Sequence, residues 1–314
     1  MDKIEELAQL RENLVDTIEA RHINRLNIAL ENLENDVVKL VNSLPLRGNK
    51  LFETRVAIEI RPKLKAIIDK HYVLWADNTV REYDQVAKQI VNNMKILPIS
   101  DNVKTLTELD IETITNLKRV KFTGFLDIAT ETTNALADEI YQSTISGKPF
   151  EDTVKTLQHR INGVYIKADA DELNDLVELV ATTTNENIKL QAINKLHTVY
   201  GADRVGNNMR RYAKQLAHDS LMEFDGQFTK AKAGEAGLTN YLYYGDIIGD
   251  SRPFCINNRG KIFSEDQLRN KWSSEIWKGK STTDPFTSRG GYNCRHHLQP
   301  TDPDWYDNNG NLII

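Results

Sequence analysis

The chain has 314 residues, of which 40% are hydrophobic and 27% are charged, and its mean hydropathy is −0.50. A chain of this length and composition can bury a sizeable core, and it is long enough for two domains. The net charge of −5 and the isoelectric point near 5.9 exclude a generally basic protein that coats nucleic acid, although they allow a local basic patch.

The sequence contains no apolar run of the roughly 18 to 20 residues that a membrane span requires. Residues 1–6 open a charged amphipathic segment without the apolar core of a signal peptide, so we expect a protein made and used on the cytoplasmic side. Two cysteines do not make a disulfide framework. A metal site, a redox pair and two unreactive thiols remain open.

The first hundred residues show the pattern of long helices. Apolar residues follow one another at steps of three and four, with one step of five, at Ile4, Leu7, Leu10, Leu14 and Ile18, then at Ile23, Leu26, Leu30, Leu33, Val37, Leu40 and Leu44. We predict a long helix with a local shift of register that ends at Pro45 and Gly48. A second stripe over 64–97 is expected to fold back, which makes 1–100 a long helical hairpin or coiled coil.

The rest of the chain divides at about residue 235. Shorter helices are predicted over 101–235, one of them starting at Asp110 as N-cap and others ending at Gly147 and Gly163. Beyond Gly234 lie half of the prolines and three of the four tryptophans, with short strands at 241–245 and 261–263 and a helix capped by Ser264. The predicted fold is therefore mainly α, with a small α+β C-terminal module over 236–314.

Both cysteines lie in turn-forming segments of this module. Cys255, Cys294 and His296 form a donor set that zinc prefers, because zinc accepts sulfur and nitrogen in tetrahedral geometry without electronic penalty. On an extended segment Cys294 and His296 share a face, while His297 lies on the other. Asp250 is a candidate fourth ligand, with His297 as the alternative. Three interpretations stay open from the residues alone: two thiols that only pack within turns, a metal site, and a close thiol pair. The first of these is favoured.

The segment 259–295 carries eight Lys and Arg against four Asp and Glu, a local net charge of +4. Such a patch can contact DNA phosphates or an acidic protein surface. The favoured interpretation is internal pairing of the arginines with Asp250, Glu265, Asp266 and Asp284. The three tryptophans of the module are expected in its core.

No sequence pattern of a known catalytic site is present. The chain has no Gly-x-Ser-x-Gly elbow, no Walker loop, no His-Glu-x-x-His pair and no dinucleotide fingerprint. We therefore expect a protein that is not an enzyme. The alternative is a zinc-dependent enzyme that acts on nucleic acid or cell wall, with the basic segment as its substrate surface.

Several segments together resemble one protein family. They are 216–225, 236–238, 244–245, the Asp-Ser-Arg-Pro-Phe-Cys run at 250–255, the Gly-Lys turn at 260–261 and the Gly-Tyr-Asn-Cys-Arg-His run at 291–296. The chain resembles the Mu F-like minor head proteins of tailed bacteriophages, also called phage head morphogenesis proteins. The resemblance covers about 145–300, and only its last 50 or so residues carry specific motifs.

The resemblance implies a structural protein present in several copies inside the phage head, made in the host cytoplasm. Its partners would be the portal protein, the major capsid protein or other internal head proteins, with DNA contact through 259–295 and release with the DNA in some relatives. It also implies that the paired Cys/His motifs are structural zinc ligands or residues that hold the fold together.

The residues that carry the motifs are Asp250, Arg252, Gly260, Gly291, Asn293 and Arg295. Many relatives have a histidine upstream of the second motif, and this chain has none there, so a four-ligand site would need Asp250 or His297.

Overall fold

The computed structural model describes residues 2–52, 54–164, 170–200, 208–249, 251–280, 284–307 and 312–313. The α-helices are α1 (Lys3–Asn42), α2 (Thr54–Ile68), α3 (Leu74–Arg81), α4 (Tyr83–Ile96), α5 (Glu108–Ser146), α6 (Phe150–Asn162), α7 (Ala170–Thr182), α8 (Glu186–Lys195), α9 (Met209–Glu235), α10 (Pro253–Asn258), α11 (Glu265–Ser274) and α12 (Pro285–Ser288). The strands are β1 (Leu46–Arg47), β2 (Lys50–Leu51), β3 (Asn240–Tyr244), β4 (Ile262–Ser264) and β5 (His297–Thr301). The predicted fold class, mainly α with a small C-terminal sheet and a long N-terminal helix, is confirmed.

The chain forms two compact units. Unit 1 comprises Met1–Ala20, Val80–Lys121 and Ala217–Ile314, and unit 2 comprises Arg21–Thr79 and Phe122–Leu216. This grouping differs from the predicted division into 1–100, 101–235 and 236–314, because helices α1, α5 and α9 each contribute residues to both units. Whether any of the three predicted segments folds alone stays a prediction.

Within unit 2, the second part of α1 contacts the segment 69–75, which joins α2 to α3 and includes the first residues of α3. Asp36 accepts hydrogen bonds from Lys70 and His71, each at 2.8 Å, and the indole Nε1 of Trp75 donates to the carbonyl of His22 at 3.0 Å. Trp75 also packs edge-on against Phe125. The chain after the first helix therefore contacts that helix again in this unit, while a hairpin over 1–100 stays a prediction.

Within unit 1, the first part of α1 contacts α4, and α4 contacts α9. The Asn93 amide donates to the carbonyl of Leu7 at 3.0 Å, and the hydroxyls of Tyr83 and Ser220 lie 2.7 Å apart. The stacked rings of Phe224 and Phe228 on α9 continue this core beside Tyr83.

The buried face of α1 differs from the predicted one over its first half. Leu10 is 49% exposed, whereas Arg11, Val15 and His22 are buried. Steps of three and four therefore run without a break from Ile4 to Val41, and the predicted shift of register is absent. Its physical reason is that a buried arginine and a buried histidine occupy face positions that a search for apolar residues passes over.

The start of α5 also differs from its prediction. Asp110 lies in the first turn of the helix, where its carboxylate accepts from the backbone and hydroxyl of Thr107 and from Lys232 at 2.9 Å. The reason is that Thr107 caps the helix: its hydroxyl accepts from the backbone N–H of Asp110 at 3.1 Å, while the Asp110 carboxylate accepts from the backbone N–H of Thr107. Asp110 also forms a fully buried ion pair with Lys232. Gly147 and Gly163 follow α5 and α6 with positive φ angles of 65° and 88°, as their predicted role at helix ends requires.

The C-terminal part of unit 1 contains a three-stranded antiparallel sheet in the order β4-β3-β5. Tyr241 is opposite Phe263 on one side and Pro300 on the other. Ser264 caps α11 in a capping box with Gln267. Phe254 stacks on Trp277, and Trp272 packs edge-on against both, so these two tryptophans belong to the core as predicted. None of the described helices is long and apolar enough to cross a membrane.

Candidate functional site

Three side chains with donor atoms meet at one end of the central strand. Cys255 lies on α10, which begins with Pro253, while Cys294 and His296 precede β5. The two Sγ atoms are 3.9 Å apart, and the Sγ of Cys294 is 3.7 Å from the Nδ1 of His296. These three donor atoms all lie within 4.8 Å of one another, and all three residues are buried.

Tyr243 on β3 completes the surroundings of the sulfurs. Its hydroxyl oxygen lies 3.4 Å from the Sγ of Cys255 and 3.9 Å from the Sγ of Cys294. Its ring stacks on the imidazole of His296, with the centroids 5.1 Å apart. A Cβ at Gly245 would lie 2.8 Å from the Cα of His296, so this position holds the histidine backbone close to the sheet.

The loop before Cys294 is shaped by residues with positive φ. Arg289, Gly291 and Asn293 have φ angles of 47°, 103° and 55°. A Cβ on Gly291 would overlap the carbonyl oxygen of Gly279, and a Cβ on Gly290 would overlap the Sγ of Cys255. The Gly-Gly-Tyr-Asn sequence therefore lets the backbone pass close to both sulfurs.

The pKa values of the two thiols are shifted in opposite directions. A hydrogen bond to Cys294, together with burial, raises the pKa of Cys255. The same interaction lowers the pKa of Cys294 well below its ordinary value against the effect of burial, and His296 and Arg289 contribute to this lowering. The backbone N–H of Gly290 also donates to the Sγ of Cys294 at 3.1 Å.

Arg252 links the segment that carries Cys255 to the loop that carries Cys294. Its guanidinium donates to the carbonyl of Lys278 at 3.2 Å and to that of Tyr292 at 2.5 Å. Nearby, the indole of Trp277 donates to the carbonyl of Gly290 at 2.7 Å. A motif arginine thus joins the start of α10 to the loop that carries Cys294.

One face of α9 contacts the same loop at four successive places. His218 Nε2 lies 3.3 Å from the carbonyl oxygen of Cys294, and a carboxylate oxygen of Asp219 accepts from the backbone N–H of Asn293 at 2.9 Å. One turn later, the carbonyl of Met222 accepts from the buried Arg289 at 2.5 Å. The fourth contact joins Asp225 to His297, with their Oδ2 and Nδ1 atoms 2.9 Å apart. The segments 216–225 and 289–297 are therefore packed directly against each other.

His297 points away from the sulfurs into a buried charged group. Arg11 lies 3.4 Å from Asp225 and donates to the hydroxyl of Thr229 and to the carbonyl of Leu298. Burial alone would raise the pKa of Asp225, but Arg11 and His297 hold it well below its usual range. The structure thus places His297 with a carboxylate and His296 with the cysteines.

The remaining predicted residues have varied positions. Asp250 lies outside the described residues, Arg295 is exposed, and Gly260 donates its N–H to the carbonyl of Tyr243 at 2.8 Å. Several charges of 259–295 are paired within the module, since Arg269 contacts both Glu265 and Asp284. DNA contact through this segment stays a prediction.

Sequence reasoning missed Tyr243, Gly290 and the Arg11–Asp225–His297 group. Tyr243 lies in a run of apolar strand residues and carries no motif, and Arg11 is separated from Asp225 by more than 200 positions along the chain. The glycine pair at 290–291, directly before a cysteine-bearing turn, was the one available signal of close backbone approach.

The arrangement can hold a soft cation or keep two thiols and an imidazole packed together. Both possibilities make Cys255, Cys294 and His296 a clasp between α10 and the start of β5. Comparison of the chain with models of protein families, with curated proteins and with solved structures finds no match.

Proposed function

We propose that the chain is a minor structural protein of a tailed-phage head, associated with the portal and the interior of the capsid and active in head assembly. The proposal takes its family from the resemblance of 216–225, 250–255 and 291–296 to Mu F-like minor head proteins. One observation supports it most. These segments, apart from Asp250, which lies outside the described residues, are in mutual contact in unit 1 through His218, Asp219 and the cysteine clasp.

The contacts matter because motif residues scattered in a sequence can match a family by coincidence. If the motifs instead mark a shared folded module, residues of different motifs are expected to contact one another. Arg252 reaches the loop of the second motif, and Cys255 of the first motif faces Cys294 of the second. Arg252, Cys255 and Cys294 thus belong to one structural unit, as expected if these motif residues preserve a module.

The long helices suit a protein that acts through assembly. A helix of 40 residues such as α1 is about 60 Å long. Exposed apolar side chains lie along α5, among them Leu109 at 63% and Val120 at 61%. Such helices offer extended surfaces for contact with portal or capsid subunits.

The test is the presence of the chain in particles of the phage that encodes it. Empty and DNA-filled heads are separated on a density gradient and their proteins are quantified by mass spectrometry. We expect peptides of this chain at constant ratio to the portal protein in empty heads. A phage-encoded protein that is not part of the particle serves as control and must be absent. A chain found only in the soluble fraction, and in no assembly intermediate, would refute the proposal.

A further inference from the structure

We propose that Cys255, Cys294 and His296 bind a zinc ion in tetrahedral geometry, with the hydroxyl oxygen of Tyr243 at the fourth vertex. This inference concerns the purified chain and is independent of its role in a phage head. It rests on four donor atoms that come from three separate elements of unit 1, namely β3, α10 and the segment before β5.

Four of the six separations between the donor atoms are close to those of a tetrahedral zinc site. With Zn–S bonds of about 2.3 Å and Zn–N or Zn–O bonds of about 2.0 Å, tetrahedral angles place two sulfurs about 3.8 Å apart and a sulfur about 3.5 Å from a nitrogen or oxygen. The observed distances are 3.9 Å between the sulfurs, 3.7 Å from Cys294 to His296, and 3.4 and 3.9 Å from the Tyr243 oxygen to the sulfurs. The Sγ of Cys255 also lies within 4.8 Å of a ring nitrogen of His296.

Gly290 lies close to both sulfurs and supports charge on one of them. A side chain at 290 would enter the space beside both sulfurs, and the backbone N–H of this glycine already donates to Cys294. The imidazole plane is held by its stacking on Tyr243. Its Nε2 atom is buried and has no hydrogen-bond partner in the described part of the chain, so it can carry the imidazole proton while Nδ1 faces the ion.

The donor types select the class of metal. Two thiolates and one imidazole favour zinc, or cobalt used as its probe, over calcium and magnesium, which prefer oxygen ligands. Binding releases the thiol protons to solvent and leaves no change in oxidation state, because zinc has no redox chemistry in proteins. The sulfurs are free thiols separated by more than a bond length, so both are available as ligands.

The experiment uses the full chain, stripped of metal by a chelator under reducing conditions. We expect it to take up about one Zn²⁺ per chain, measured by elemental analysis after gel filtration. Added Co²⁺ should give thiolate charge-transfer absorption and the intense visible bands of a tetrahedral ion, and Zn²⁺ should abolish both. Reduced protein with two free thiols that gives neither signal would overturn the inference.

Neighbouring histidines provide a matched pair of variants. His296→Gln should lower the affinity for zinc at least about 100-fold, because a ligand is lost. His297→Gln should keep one Zn²⁺ in the folded fraction, since this histidine faces Asp225. Circular dichroism identifies the folded fraction of each. If the two variants bind zinc equally, the proposed ligand set is wrong.

The fourth ligand has its own test. Tyr243→Phe should retain three ligands but shift the visible cobalt bands and weaken zinc binding about tenfold. Asp250→Asn should leave both unchanged. The opposite result, with Asp250→Asn altering the cobalt bands and Tyr243→Phe leaving them unchanged, would overturn the assignment of Tyr243.

Discussion

At the scale of single residues, substitutions at Gly290 and at Glu34 are expected to change stability most clearly. Gly290 lies where the backbone passes both sulfurs, and Glu34 on α1 lies among polar side chains of unit 2. Its two carboxylate oxygens accept hydrogen bonds from Gln158 at 2.9 Å and from Asn162 at 2.5 Å. A side chain at position 290 or a negative charge at position 34 is therefore expected to cost stability.

Substitution of Gly290 by alanine should destabilise unit 1. The added Cβ would overlap the Sγ of Cys255 and lie 2.9 Å from that of Cys294, so the loop or the sulfurs must move. We expect a loss of about 2–3 kcal/mol in unfolding free energy, measured by chemical denaturation. Gly234→Ala on α9 is the matched control, because no atom lies within 4 Å of the added Cβ. It should be neutral or slightly stabilising, and an equal loss in both variants would contradict this explanation.

The stability of unit 2 should fall as pH rises through the range set by Glu34. Burial, and then the charge of Glu31, raise the pKa of Glu34 from 4.5 to about 7. The folded state therefore binds the proton more tightly than the unfolded state, and stability is lost between about pH 4.5 and pH 7. Glu34→Gln should remove this loss, of the order of 2 kcal/mol, in denaturation curves recorded from pH 5 to pH 8.

Asp36 on the same helix provides a control of opposite sign. Hydrogen bonds from Lys70 and His71 lower the pKa of Asp36 to about 2. Its contribution is present above the ordinary pKa of 3.8 and is lost only as pH falls toward about 2, so the titration of Asp36 adds no slope between pH 5 and pH 8. A slope that persists unchanged in Glu34→Gln would show that Glu34 is not its source.

At the scale of elements, α1 depends on a buried arginine as much as on its apolar face. Arg11 and Asp225 are both 1% exposed, and the guanidinium also contacts Thr229 and Leu298. This group fastens the first turns of α1 to α9 and to β5 within unit 1. A buried charge of this kind is costly to leave without its partner.

Removal of Arg11 should therefore be more harmful than joint removal of the pair. Arg11→Met is expected to cost about 3–5 kcal/mol in unfolding free energy, because Asp225 then remains charged and buried. The double variant Arg11→Met/Asp225→Leu should recover part of this loss, as a double-mutant cycle would measure. Additive losses would mean that the two side chains do not act on each other.

The elements also show how far sequence alone reaches. The length of α1, the ends of α5 and α6 and the capping of α11 by Ser264 follow from local chemistry, and local patterns predicted them. Local patterns could not predict the burial of Arg11 and of Lys232, because each pairs with a carboxylate more than a hundred positions away along the chain. For the candidate site, sequence patterns predicted Cys255, Cys294 and His296. They did not predict Tyr243, because only the fold of β3 brings its hydroxyl next to the sulfurs.

At the scale of the whole molecule, the C-terminal sheet belongs to a unit assembled from distant parts of the chain. Gln9 accepts from the hydroxyl of Tyr244 at 2.6 Å, and Glu12 accepts from the backbone of Asp246 at 3.1 Å. The contacts of α9 with 289–297 add to these. A fragment of residues 236–314 would expose all of these groups.

We therefore expect the isolated fragment 236–314 to lack a cooperative fold. Its thermal denaturation, followed by near-ultraviolet circular dichroism of the tryptophans, should show no transition, whereas the full chain should show one. Addition of zinc should not restore the transition, since α9 and the first turns of α1 are still missing. A fragment that unfolds cooperatively would mean that these contacts are dispensable.

The most direct test of the proposed role is a cryo-EM difference map between phage heads assembled with and without this chain. We predict additional density inside the head at the portal vertex, long enough for α1, a helix of about 60 Å. Identical maps, or additional density only on the outer surface, would contradict the proposal that this is an internal head protein.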